Sequence, residues 1–176
     1  MSTASEESTE VPAELWLLVG SGPLERGASE IAAGFAGRAP AIVLAPEAGS
    51  AARLGSDLAA AFGARLVATE ALADPAPDET DPLLAERAWE GVASVRTGVP
   101  GERLLVAAAY ELVRVLTARA LGAPLERSRA ITVDPGRLVL LRQGPLGLDL
   151  RHANVERPSP DEGWALPGPE AGKARR

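Results

Sequence analysis

The chain reads as an α/β protein: a mostly parallel sheet covered by helices on both faces, in three layers, with a late antiparallel hairpin. Three observations predict this. Short, continuous apolar runs such as 15–19, 41–44 and 104–108 end at Gly, Pro or Ala, as parallel strands buried on both faces do. Segments with apolar residues at helical spacing separate those runs, and strand–helix alternation favours a parallel sheet. Near the end, Asp134-Pro135-Gly136 supplies turn chemistry between two apolar stretches.

The elements follow in order. Leu15 to Val19 is a buried strand closed by Gly20, and Ala28 to Phe35 a short helix. Ala41 to Leu44 is the second strand, closed by Ala45-Pro46. Ser50 to Phe62 is a helix with Leu54, Leu58 and Phe62 four residues apart, stopped by Gly63. Leu66 to Ala68 makes a short third strand, and Ala71 to Thr80 a loop. Asp81 is placed as an N-cap with Pro82 at the first helical position, opening a helix that carries Leu84, Ala88, Val92 and Val95 to about Arg96. Gly98, Pro100 and Gly101 turn the chain into a strand over Leu104 to Ala108. Tyr110 to Leu121 is the next helix, ended by Gly122. Ala130 to Val133 and Leu138 to Arg142 are expected to form the hairpin around Asp134-Pro135-Gly136, with Leu148 to His152 as one more strand.

One domain is expected over residues 14–157. Residues 1–13, rich in Ser, Thr and Glu, read as a disordered tail, and 158–176 as a Pro/Gly-rich tail. Trp164 is unusual in such a tail and is expected to dock on the domain or on a partner.

Bulk chemistry excludes several functions. The formal net charge is −6, without the basic footprint that nucleic acid or an anionic membrane requires. The absence of cysteine removes thiolate chemistry and Cys-type zinc sites, and a single histidine removes a His-rich metal site. No metal and no cofactor are expected. Nothing at the N-terminus resembles a signal peptide, and no apolar stretch has the length of a membrane span, so a cytoplasmic protein is expected. Every basic residue but Lys173 is arginine, which with the Ala, Gly and Pro excess suggests a GC-rich bacterial genome.

The order and spacing of segments from Leu15 to Asn154 resemble a histidine phosphatase of the phosphoglycerate mutase-like superfamily. The second strand ends in Ala45-Pro46, where that family shows Ser-Pro. Further on, Pro100-Gly101-Glu102-Arg103 leads into Leu104-Leu105-Val106. Leu112-Val113-Arg114, Leu121-Gly122-Ala123-Pro124-Leu125-Glu126-Arg127 and Val133-Asp134-Pro135-Gly136-Arg137-Leu138 follow in family order, and Leu150-Arg151-His152-Ala153-Asn154 resembles the family's closing strand.

The resemblance implies a phosphatase mechanism that these residues do not support. The family's nucleophilic His would fall at Gly20, the preceding Arg at Val19, a second phosphate-binding Arg near Gly49 and the second pocket His at Ala109. Phosphoryl transfer needs a nucleophile inside a positive pocket, and none of these positions offers one. His152 lies too late in the chain to replace either histidine and reads as structural. Asp74 matches the position of the family's acid, although an exposed loop residue is the plainer reading. The excursion after the acid loop is short, Pro75 to Thr80, implying an open cleft or one covered by a partner. The chain is therefore expected to be a catalytically inactive pseudophosphatase with a binding or regulatory role. Its partner would be a small phosphorylated molecule or a protein.

Two alternatives accompany this reading. One is a phosphomonoesterase of non-standard mechanism. The other is dinucleotide binding at Gly20-Ser21-Gly22, with Glu47 near the ribose position; Pro23 and Glu25 count against it, one lacking a backbone donor and the other placing a carboxylate near pyrophosphate. For anion binding the candidates are Gly20, Ser21, Gly22 and Arg53. The positional match of Arg114 implies an ion pair or an exposed side chain rather than catalysis.

Overall fold

The computed structural model describes residues 13–22, 26–35, 38–95, 102–144 and 147–155. Residues 1–12 and 158–176 of the expected tails, Pro23, Glu25, the turn at Gly98 to Gly101, Trp164 and Lys173 lie outside these residues, whereas Ala13, expected in the first tail, is buried and its carbonyl accepts from the Gln143 amide at 2.8 Å. β1 (Glu14–Val19), β2 (Ile42–Ala45), β3 (Arg65–Ala68), β4 (Arg103–Ala108), β5 (Leu138–Gly144) and β6 (Gly147–Val155) form one six-stranded sheet in the order β3-β2-β4-β1-β5-β6. β1 to β4 run parallel, β5 is antiparallel to β1, and β6 is antiparallel to β5.

Alternation along β1 builds both cores. Leu15, Leu17 and Val19 face one side, where α3 (Asp81–Val95) and α4 (Tyr110–Ala120) bring Leu84, Ala88, Leu112 and Leu116. Trp16 and Leu18 face the other, against α1 (Ala28–Ala33) and α2 (Ser50–Phe62) with Ile31, Leu54 and Leu58. Phe35 lies just past α1, its ring 4.5 Å from Trp16 and 5.2 Å from Phe62. The three-layer α/β/α fold is therefore as the sequence predicts. No helix among the described residues is long and apolar enough to cross a membrane.

Three expectations change. The segment 130–133 is not a strand. Leu125–Ala130 forms a 3-10 turn around buried Ser128, and the Ile131 carbonyl accepts from the Tyr110 hydroxyl at 3.0 Å instead of entering a ladder. The Asp134-Pro135-Gly136 turn closes through the Arg137 amide and Asp134 carbonyl, but Gly136 (φ +74°) donates to Val19, so the turn feeds β5 onto β1. The hairpin is thus β5–β6, with 145 and 146 outside the described residues. Asp81 does not cap α3. It is the first helical residue, Leu84 donates to the Thr80 carbonyl, and the Asp81 carboxylate is committed to Arg114.

Candidate functional site

β1, β4 and β2 are neighbours, and their C-terminal ends bring Val19, Gly20, Ala109 and the 46–49 loop to one edge of the sheet. In open α/β sheets this edge is where ligands bind. Val19 is fully buried in the core. The Gly20 amide donates to the Ala108 carbonyl at 2.8 Å. A side chain at Gly20 would be tightly packed, because a Cβ there would stand 3.0 Å from the Ala51 Cβ, so the first turn of α2 would have to give slightly. The first turn of α2 packs directly over the end of β1.

The next residues are also committed. The Ser21 hydroxyl accepts from the Tyr110 amide at 3.1 Å. Ala109 occupies the N-cap of α4 without a capping side chain, so Ser21 caps that helix from another strand end. It takes a donor that an anion at the helix N-terminus would use. Gly22, at φ +85°, lies under Pro135, whose Cγ is 3.1 Å from where a Cβ would be.

Gly49, at φ +94°, is exposed at the N-cap of α2. It borders two grooves. One, about 500 Å³, is lined by Arg26, Gly27, Ser50, Arg53 and Asp57. The other, about 340 Å³, is lined by Glu47, Ala48, Glu70, Ala73 and Asp74. Arg53 and Asp74 thus lie in different grooves, and the 340 Å³ groove is acidic with no basic lining residue. Among the described residues no group of His, Asp and Glu is arranged to hold a metal ion.

Beside Asp74, Arg87 organises the 70–79 loop. Its guanidinium holds Glu79 at 2.8 and 2.7 Å and donates to the carbonyls of Glu70, Ala71 and Ala73. Arg114 forms another charged centre, with two bonds of 2.9 Å to Asp81 and one to Ser128. These hydrogen bonds hold the Glu79 and Asp81 carboxyls below their ordinary range. His152 pairs with Leu140 on β6, away from these groups. The packing of Ala51 on Gly20 and the Ser21 cap were not legible from sequence, since both partners are distant in the chain. Arg87 had a weak signal, a lone basic residue after a run of acids.

This architecture is the phosphoglycerate mutase-like fold of histidine phosphatases. A protein assigned as an alpha-ribazole-5'-P phosphatase from Escherichia coli superposes with a TM-score of 0.67 at 16% identity, over 85% of this chain and 100% of its own. The mycobacterial glucosyl-3-phosphoglycerate phosphatase gives 0.64 at 15%, over 78% and 95%. The phosphoglycerate mutase of Plasmodium falciparum gives 0.62 at 16%, over 88% and 98%. No family model and no curated protein matches the sequence.

Proposed function

We propose that this protein is a pseudophosphatase: a phosphoglycerate mutase-like scaffold that binds a protein partner and does not transfer phosphoryl groups. The observation that carries this is the tight packing of Ala51 on Gly20, where a Cβ would stand 3.0 Å from the Ala51 Cβ. If Gly20 stands where the family's His would, this tight packing supports the reading in addition to the missing His. The surroundings agree, because Glu47, Glu70 and Asp74 would repel a phosphoryl dianion.

The test is turnover of p-nitrophenyl phosphate and sugar phosphates, wild type beside Asp74→Ala. Rates at the buffer background for both support the reading. Hydrolysis above background that disappears in Asp74→Ala overturns it in favour of a phosphomonoesterase.

A second reading, a small phosphorylated ligand, has one observation behind it. The groove at Gly49, Ser50 and Arg53 opens on the N-terminus of α2, whose first turn holds no acid. A thermal-shift panel of phosphate, sugar phosphates, NAD and FAD separates the two, since a ligand at 100 times its Kd stabilises by about 2.7 kcal/mol. A shift lost in Arg53→Ala selects the small ligand. Dinucleotide binding has less support, because α1 begins only at Ala28 and the glycine turn does not open a helix. A shift given by NAD or FAD alone would revive it.

A further inference from the structure

The acidic groove beside Asp74 continues into a second trough of about 590 Å³, between the 70–79 loop and the start of α3. It is lined by apolar Ala71, Ala73, Ala76 and Leu83 and by the carboxylates of Glu70, Asp74, Asp78 and Glu79, the last paired with Arg87. Leu83 is 58% exposed, the most exposed large hydrophobic residue described. The one basic lining residue, Arg87, has its guanidinium committed to Glu79 and loop carbonyls. A fitting occupant is apolar with a basic end.

The chain itself contains such a segment. After β6 and an acidic stretch with Glu156, Asp161 and Glu162, residues 164–176 carry Trp164-Ala165-Leu166 and then Lys173, Arg175 and Arg176 against a single Glu170. The geometry permits the connection. Val155 pairs with Leu138, and Leu138 with Leu18, so β6 ends at the edge of the sheet that carries the trough. Crossing from β6 to β3 takes five inter-strand steps, about 24 Å. The nine residues from Val155 to Trp164 reach about 30 Å when extended.

We propose that residues 164–176 of this chain dock in the trough of Glu70, Asp74, Asp78 and Leu83, with Trp164 and Leu166 on its apolar residues and the basic residues along its carboxylates. This goes beyond the binding role proposed above and does not rest on it: it assigns the trough beside Asp74 to a segment of the chain itself.

The absence of cysteine makes a unique spin label available. A nitroxide at Pro77→Cys, exposed beside the trough, in the full ¹⁵N-labelled chain should broaden the Trp164 indole and the amides of 165–176. At 1 M salt, where the Debye length is ~3 Å, that broadening should fall to about half or less. Lys173→Glu/Arg175→Glu/Arg176→Glu and, separately, Leu83→Glu should reduce it similarly; both alter exposed or tail positions and leave the core intact. Unbroadened tail signals at low salt, or broadening indifferent to both variants, overturn the proposal. Broadening seen only when spin-labelled unenriched chain is mixed with ¹⁵N chain also overturns it, assigning the trough to a second copy.

Discussion

Gly20 and Ala51 are in van der Waals contact across two layers of the fold: a Cβ on Gly20 would sit 3.0 Å from that of Ala51. This seats the first turn of α2 on the end of β1. Gly20→Ala should therefore destabilise by about 1–3 kcal/mol through overpacking. The same change in an Ala51→Gly background should cost less. Urea unfolding of the two single variants and the double variant measures the coupling, and additivity would show that the contact is not tight.

Ser21 caps α4 from outside the helix. Ser21→Ala leaves the Tyr110 amide without its acceptor and should cost about 0.5–2 kcal/mol, the range for losing a cap. Faster hydrogen exchange at Tyr110, with the rest of the sheet unchanged, would localise the loss.

Asp81 and Arg114 tie α3 to α4 and, through Ser128, to the 125–130 turn. The pair is largely buried, with 8% of the Arg114 and 26% of the Asp81 side chain exposed. Arg114→Ala should cost roughly 2–4 kcal/mol, near the low end for breaking a buried pair, because Asp81 retains some solvent.

The same pairing sets an acid limit. Asp81 and Glu79 titrate lower folded than unfolded. Their contribution is thus complete above the unfolded values, about 3.9 and 4.3, and is lost as pH falls through the folded ones. Thermal melts should show Tm flat near neutrality and falling below about pH 4. Asp81→Asn should flatten that fall, and a profile unchanged by it would remove Asp81 as a cause.

Arg87 holds Glu79 in a two-pronged pair while donating to three carbonyls. Lysine cannot reproduce that fork. Arg87→Lys should therefore loosen the 70–79 loop, read as faster proteolysis within it, at a global cost of about 1–3 kcal/mol.

Much of this molecule was legible in the chain. The runs Leu15–Val19 and Leu104–Ala108 are apolar throughout, which only a strand covered on both faces tolerates, and Leu54, Leu58 and Phe62 mark a helix by spacing alone. That the chain holds a single histidine was also a sequence fact, and the pseudophosphatase proposal starts from it. The tertiary structure decided what depends on distant partners. Val133 lies in an apolar stretch that looked like a strand, yet the Ile131 carbonyl goes to Tyr110 and the turn at Gly136 goes to Val19, so β5 found β6 instead. Asp81 had the look of a cap, but a buried guanidinium 33 residues away outcompeted the helix amides for its carboxylate. Residue types and periods are local, and they fix which segments become strands and helices. How closely α2 sits on the end of β1 at Gly20 depends on residues far apart in the chain, and only the packed layers determine that.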